Sequence, residues 1–271
     1  MKKKDITSIA IGRFDGLHLG HFKIFNNLDK NGGVVVIEDS RDKLTPIREE
    51  HLPLPFFYYH LKDIKNLSGR DFIELIKKDF PNLKKIVIGY DFKFGKDRAY
   101  SASDLKTMFS GEICIVDEFK LKDAGVHSRN IREFLKIGDI KMANNFLGRQ
   151  YKISGRNIKG QGIGKKELFA TLNIEINGYI LPRNGVWASY TRVNKQQFKS
   201  VTFIGNRVST DGKFSVETHI LDENLDVREL SKVDIFFVKY IRENLKFNSL
   251  LDLKTQIQKD INIAREILNE R

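Results

Sequence analysis

Cysteine is almost missing from this chain. Cys114 is the single one in 271 residues, so neither an internal disulfide nor a cysteine-rich metal site can form, and a reducing compartment is indicated. Also missing is any run approaching the ~18 apolar residues of a membrane helix. The opening Met1-Lys2-Lys3-Lys4 has the charge of a secretory leader, but Asp5, Arg13 and Asp15 break up what would be its apolar stretch. A cytoplasmic protein with no membrane partner is expected. Internal repeats and low-complexity segments are absent as well. Negative charge is in short supply: 35 Asp and Glu stand against 47 Lys and Arg, a formal net charge of +12. Such an excess draws anionic partners, whether nucleotides, nucleic acid or acidic membranes. The basic residues are scattered and no nucleic-acid recognition motif accompanies them. A basic nucleic-acid-binding protein is therefore kept as the minor reading only.

What is present suffices for a packed core. Hydrophobic residues make up 41% and charged residues 30% of a chain long enough for one large or two modest domains. The first half alternates strand and helix patterns. Ile6–Ile11 reads as a buried strand, Gly12–Gly16 as a turn, and Gly20 to Asp29 as a helix. Val34–Glu38, Lys85–Gly89 and Glu112–Val116 read as further strands, and Asp71–Asp79 as a helix from the spacing of Phe72, Leu75, Ile76 and Phe80. Strands alternating with helices predict a doubly wound, Rossmann-like parallel sheet. Two short helices, Ser128–Ile137 and Asp139–Leu147, come next, with Gly148 as a stop.

From Tyr151 the texture changes. Short strand patterns at Tyr151–Arg156, Leu168–Ile176, Val186–Val193, Ser200–Gly205, Ser215–Leu221 and Val233–Tyr240 predict an antiparallel sheet or small β-barrel. A closing helix is marked by Leu250, Leu253, Ile257, Ile261, Ala264 and Leu268 at steps of three and four. The expected domains are residues 1–148 and 149–271.

The sharpest motif is Gly12-Arg13-Phe14-Asp15-Gly16-Leu17-His18-Leu19-Gly20-His21, between the first strand and first helix. Glycines let the backbone turn tightly and approach a ligand. His18 and His21 are three apart, so at a helix start they project on one side. Free N–H groups at that helix end favour phosphate, and two imidazoles beside them would steady charge developing on a phosphorus under attack. A bare pair at this spacing is more often two solvent-facing histidines; the whole pattern at the end of a first strand is not. It resembles the signature of the nucleotidylyltransferase superfamily, whose H-x-G-H binds and activates a nucleoside triphosphate. Ile88-Gly89-Tyr90-Asp91-Phe92-Lys93-Phe94-Gly95 is similar to the G-x-D-F-x-F-G block of bacterial FAD synthetases, and Val126-His127-Ser128-Arg129-Asn130-Ile131-Arg132 to their S-S-T-x-I-R motif. Departures from that family are His127, Arg129, Arg13, and Val36–Arg41 where F-x-P-H-P is usual.

In the second half, Leu147-Gly148-Arg149-Gln150-Tyr151 resembles the junction that introduces riboflavin kinase modules. Gly160-Gln161-Gly162-Ile163-Gly164-Lys165 has glycines able to fold over phosphates, although it lacks the ending of a P-loop and reads equally as a hairpin. Phe169-Ala170-Thr171-Leu172-Asn173 is similar to the kinase block G-F-P-T-A-N, with Ala170 and Leu172 substituted. Thr171 and Asn173 are two apart on a strand and share a face. Their oxygens suit Mg²⁺ held largely by substrate phosphates. Pro182-Arg183-Asn184-Gly185-Val186-Trp187, Ile204-Gly205-Asn206-Arg207 and Val216-Glu217-Thr218-His219-Ile220-Leu221-Asp222 continue the resemblance, as does the segment from Ile241 to Asp260, where Arg242 reads equally as a ligand-binding or a salt-bridged residue.

Taken together, nearly the full chain resembles the bifunctional riboflavin kinase/FMN adenylyltransferase (FAD synthetase) family. That resemblance implies phosphorylation of riboflavin to FMN in the barrel and adenylylation of FMN to FAD in the α/β domain, with ATP as co-substrate and Mg²⁺ as cofactor. It implies Glu217 as general base, and His18 and His21 as the catalytic pair of the other site. Gly12, Phe14, Asp15, Gly16, Gly20, Asp91, Phe92, Ser128, Arg132, Gly160, Gly162, Gly164, Thr171 and Asn173 are the implied nucleotide-binding residues, Thr171 and Asn173 also the metal-binding ones. Riboflavin, FMN, FAD and ATP are the implied partners, with no nucleic acid and a monomer expected. Loss of one of the two activities is the close alternative.

Overall fold

Five short runs of β-branched and aliphatic residues build the first sheet. The computed structural model describes residues 1–158, 169–209, 211–221 and 232–269, and the chain divides into two compact units, Met1–Ser128 and Arg129–Arg271. In the first unit lie β1 (Ser8–Gly12), β2 (Gly32–Glu38), β3 (Phe56–His60) and β4 (Lys85–Gly89). Then come the two-residue ribbon β5 (Lys93–Phe94) with β6 (Tyr100–Ser101), β7 (Glu112–Val116), and a second ribbon, β8 (Lys120–Leu121) with β9 (Ala124–Gly125). The five longer strands form one parallel sheet in the order β3-β2-β1-β4-β7.

Both faces of the sheet are covered at its centre, so the inner strands β1, β2 and β4 carry continuous buried runs. Ile9 and Ile11 of β1 join one cluster with Val35, Ile73, Ile76 and Phe80. Ala10, between them, joins a second with Val34, Val36 and Phe25. The chain leaves β1 toward β2 on one side and later returns to β4 on the other. The carboxyl ends of β1 and β4 therefore flank the switch point, where open α/β sheets hold their ligands.

Helices α1 (Leu19–Phe25), α2 (Leu61–Ile64), α3 (Gly69–Asp79) and α4 (Ala102–Met108) complete the unit. In α3, Ser68 caps the start by accepting from the Asp71 N–H at 3.1 Å, and Phe72, Ile73 and Ile76 form its buried face. Two expectations are corrected. The first helix does not run from Gly20 to Asp29: beyond Phe25 the Asn27 and Leu28 N–H groups donate three residues back, tightening the chain into a turn ahead of β2. Strand β3 was not foreseen, because it is a sheet edge made of aromatics behind Pro53 and Pro55, half exposed and without β-branched residues.

The second unit opens with α5 (Ser128–Ile137), whose first residue still belongs to the first, and α6 (Ile140–Leu147). Asp139 caps α6 by accepting from the Met142 N–H, and Gly148 ends it in the left-handed conformation at φ 70°. Six strands follow: β10 (Lys152–Ile158), β11 (Leu172–Ile176), β12 (Gly185–Val193), β13 (Gln196–Asn206), β14 (Phe214–Ile220) and β15 (Lys232–Arg242). They close into an antiparallel barrel in the order β10-β11-β14-β13-β12-β15, so no long sheet edge is left unpaired.

The carboxyl-terminal helix α7 (Leu250–Asn269) lays Ile261, Ala264 and Leu268 on Val186, Ala188, Val201 and Val238 of the barrel's outer face. An ion pair pins it. Arg242 at the end of β15 grips buried Asp260 through Nε (2.9 Å) and Nη2 (2.7 Å), and Gln256 donates to the same carboxylate. Removing one partner of a buried pair strands the other charge, a loss of about 3 kcal/mol. Asp260→Ala should lower unfolding stability by about that much, read as a shift of the urea midpoint without a large change in slope.

Candidate active sites

Gly12 closes β1, and the chain then makes a tight loop into α1. Gly16 holds φ 91° there, but Phe14 and Leu17 also sit in the left-handed region, at φ 45° and 42°. Each costs about 1–2 kcal/mol for a residue with a Cβ. Their burial, 2% and 0% exposed, offsets that cost. Arg48, itself 1% exposed, braces the loop: its Nε donates to the Phe14 carbonyl (3.1 Å), Nη2 to the Arg13 carbonyl (3.2 Å), and Nη1 pairs with Glu38 at 2.6 Å. The Asp15 carboxylate accepts from the Leu44 N–H at 2.8 Å.

This loop delivers His18 to the position just before α1 and His21 into its first turn. Their rings stack with centroids 3.5 Å apart and planes at 20°, and the edge of Phe14 lies against His21 at 5.2 Å. Two glycines make room. A Cβ on Gly12 would stand 2.9 Å from the Phe14 ring, and one on Gly20 would press on the Val126 carbonyl and the His18 ring. Across the switch point, Asp91 is exposed beyond Gly89 at the end of β4, while Phe92 stacks on buried Phe94 at 5.6 Å.

Ser128 donates its hydroxyl to the Asp15 carbonyl at 2.6 Å, tying the start of α5 to the loop. His127 pairs with Glu118 at 2.8 Å, and that contact is the chief reason the Glu118 carboxyl is held low. Arg132, one turn along α5, lines an open basin of about 700 Å³ in the second unit, beside Lys136 and Arg183.

Sequence reasoning missed the polar cluster behind the loop. Asp39 sits among Arg13 (3.2 Å), Arg41 (2.6 Å) and Lys43 (3.2 Å), and the Arg41 hydrogen bond holds its carboxyl far below the usual range. With Glu38 and Arg48 these residues form the charged wall of the segment that matched no motif. Its signal was the crowding of both charge signs in Glu38–Lys43.

In the barrel, alternation along β14 sets the second site. Val216, Thr218 and Ile220 are buried, while Glu217 and His219 face outward. Antiparallel pairing places Asn173 opposite Glu217, with Phe203 opposite on the other side. Thr171, Asn173, Glu217 and Arg207 line the polar side of a cavity of about 200 Å³. Phe169, Phe203, Phe247, Leu253 and Ile257 make its apolar wall. Asn173 and Arg207 also border a second basin of about 470 Å³ that includes Asp211 and Lys213. Gly160, Gly162 and Gly164 lie outside the described residues.

Arg207, which the sequence singles out only as the last residue of the Ile204-Gly205-Asn206-Arg207 match, is central here. It holds Glu217 through Nη1 at 3.2 Å and Asp211 through Nε and Nη2 at 3.0 and 2.7 Å. Arg242, left between two readings, is salt-bridged to Asp260 at the same cavity. Among the described residues no cluster of three His, Cys, Asp or Glu could hold a metal by itself. The hydroxyl, amide and carboxylate oxygens of Thr171, Asn173 and Glu217 instead fit a hard cation that brings most of its ligands on phosphate.

The fold and these two sites define a two-module transferase of phosphorus-containing groups. The family described as riboflavin kinase matches residues 147–268, and the family described as FAD synthetase matches residues 29–130. A bifunctional riboflavin kinase/FMN adenylyltransferase of Buchnera aphidicola subsp. Schizaphis graminum is 30% identical, over 97% of this chain and 94% of its own. The protein of the same name from Haemophilus influenzae is 30% identical over the same shares of both chains. A solved Streptococcus pneumoniae structure, described as a macrolide-efflux protein, shares the fold over 97% of both chains at TM-score 0.80 and 25% identity. The chain belongs to the bifunctional riboflavin kinase/FMN adenylyltransferase family. Efflux is said of the Streptococcus protein alone; among the described residues here, no helix is long and apolar enough to cross a membrane.

His219 links the cavity to the segment that carries Thr171, which lies just ahead of β11 and not, as expected from the sequence, within the strand. Its Nδ1–H donates to the Ala170 carbonyl at 2.7 Å, and its ring lies 5.4 Å from Phe169. Burial pushes the imidazole below its ordinary pKa, with the Ala170 bond pulling weakly the other way. As pH falls the unfolded chain therefore takes up the proton first. Stability is full above about 6.5 and declines below it toward the lowered folded value. His219→Gln should flatten that decline, seen as a smaller drop of the urea midpoint between about pH 7 and pH 5.5 than in the wild type.

Proposed function

We propose that the chain makes FMN from riboflavin and ATP at the barrel site, and FAD from FMN and ATP at the α/β site with release of pyrophosphate. The register that sets Glu217 opposite Asn173 on the wall of an apolar-backed cavity carries this reading. An apolar cavity with one polar side suits a flavin ring whose ribityl chain reaches the carboxylate. The neighbouring basin, polar and sharing Asn173 and Arg207, suits the nucleotide.

Glu217 accepts the proton of the terminal ribityl hydroxyl as that oxygen attacks the γ-phosphorus, and the bond to the β,γ-bridging oxygen breaks with ADP as the leaving group. Arg207, anchored by Asp211, stands where charge builds on the transferring group. Thr171 and Asn173 would hold Mg²⁺, which supplies charge neutralisation on the phosphates. At the other site the phosphate of FMN attacks the α-phosphorus of ATP. His18 and His21 steady the developing charge there, so positioning and electrostatics suffice without a covalent intermediate. Gly12, Phe14, Asp15, Gly16 and Gly20 shape the triphosphate pocket, with Asp91, Phe92 and Ser128 in the same unit; Arg132 is assigned to the nucleotide on sequence alone. Gly160, Gly162 and Gly164 are assigned to the phosphates of the kinase step on sequence alone.

We place the functional boundary at residue 148, supported by a kinase family match that begins at 147. The same reading makes the protein a cytoplasmic monomer whose partners are small molecules, with neither nucleic acid nor membrane among them.

Chromatography of products from riboflavin, ATP and Mg²⁺ tests both activities at once. Glu217→Gln should cut FMN formation by roughly 10²–10⁴-fold and leave FAD formation from supplied FMN intact. His21→Ala should do the converse, by roughly 10²–10³-fold. A folded variant in which either change silences both reactions equally would refute the two-site assignment. Chelation of Mg²⁺ should stop both products, and restored metal should return them.

A further inference from the structure

Five hydroxyls fill part of the barrel interior where apolar side chains would be ordinary. Ser189, Thr191, Ser200, Thr202 and Thr218 are each 0% exposed. Their oxygens form a closed ring: Ser189 to Ser200 at 2.8 Å, Ser200 to Thr191 at 2.8 Å, Thr191 to Thr218 at 2.9 Å, Thr218 to Thr202 at 3.0 Å, and Thr202 to Ser189 at 2.8 Å. Each hydroxyl has one proton, so five donors serve five contacts when all point the same way round. Backbone carbonyls offer second acceptors, that of Ser189 to the Ser200 hydroxyl at 3.0 Å, that of Ser200 to Ser189 at 3.3 Å and that of Val201 to Thr218 at 3.4 Å. Only the ring bonds, however, tie Thr218 to a side chain on each of two other strands.

The ring joins three strands. β12 supplies Ser189 and Thr191, β13 supplies Ser200 and Thr202, and among the described residues β14 supplies Thr218 alone. Thr218 stands opposite Thr202 on one side and Leu172 on the other. Its two chain neighbours are Glu217 and His219, whose side chains face the cavity. An apolar side chain at 218 would hold β14 by packing, which tolerates small shifts; two directional bonds to different strands do not.

We propose that Thr218 is a positioning residue for riboflavin phosphorylation: the hydroxyl ring fixes β14 against β12 and β13, and thereby fixes Glu217 beside Asn173. The inference rests on the reading of Glu217 and Asn173 as the kinase centre. It assigns a role to buried groups that touch no substrate.

The test is steady-state kinetics on the full chain, well below its melting temperature. Thr218→Val keeps the shape and removes the ring bonds. It should lower kcat for riboflavin phosphorylation about ten- to a hundredfold, as expected for a displaced catalytic group, with KM for riboflavin and ATP changed by no more than about twofold. FAD formation from FMN should be unchanged. Thr218→Ser, which restores the hydroxyl, should recover most of kcat. Thr202→Val, which removes a ring partner from β13 and leaves β14 intact, should lower kcat in the same sense. If a valine variant does not fold, Thr218→Cys replaces it, since a thiol is a weak hydrogen-bond partner. A folded Thr218→Val or Thr218→Cys protein with wild-type kcat overturns the proposal even if its melting temperature falls. Glu217→Gln separates the two failures. If it keeps full kinase activity the kinase-centre reading is wrong; if it is inactive while Thr218→Val is not, only the positioning role is lost.

Discussion

The two-residue period of a strand in a closed barrel is the constraint on which the kinase half depends. On β14 it sends Glu217 and His219 outward and Val216, Thr218 and Ile220 inward. A slip of one residue would turn the Glu217 carboxylate into the interior, where an unpaired charge costs several kcal/mol. Burial therefore protects the geometry of the site without a catalytic residue having to contribute. Closure adds to this, because each strand is bonded on both sides and none can shift alone.

The α/β unit solves the same problem by another route. Its imidazoles sit at a loop, not on a strand, and the loop holds two non-glycine residues in left-handed backbone. Such a conformation persists only where the surroundings over-determine it. Here the Phe14 and Leu17 side chains are buried in the core beside Ala10 and Val34, and the Arg48 guanidinium binds two successive backbone carbonyls. Stacking of His18 on His21 follows from that loop geometry together with the missing side chain at Gly20.

Much of the architecture was legible in sequence because it is periodic. The strands at Lys85–Gly89 and Glu112–Val116 and the helix Ser128–Ile137 appear where the apolar spacing placed them. The β10–β15 segments were readable as short strands between turns. What escaped was set by tertiary context. Strand β3 borrows its pairing from β2 and has no pattern of its own. Arg48 looks like any surface arginine until Glu38 and the loop carbonyls surround it, and Asp260 like any helix aspartate until Arg242 meets it across the helix. The hydroxyl ring is likewise invisible along the chain: serines and threonines at alternate positions read as a wet strand face, and only closure of the barrel makes that face the inside.

The chain's positive charge is also better placed than its sequence reveals. Behind the glycine loop, Glu38 and Asp39 face Arg13, Arg41, Lys43 and Arg48, a local surplus of two cations. Burial, and after it the neighbouring Arg41, lowers the proton affinity of Arg13. Asp39 relieves part of that repulsion and keeps the guanidinium of Arg13 in place. Because the Arg13 and Arg41 side chains are exposed, what remains of that repulsion is screened by water and salt. The excess of positive charge that the composition shows is thus partly gathered beside the glycine loop, where the carboxylates of Glu38 and Asp39 hold it.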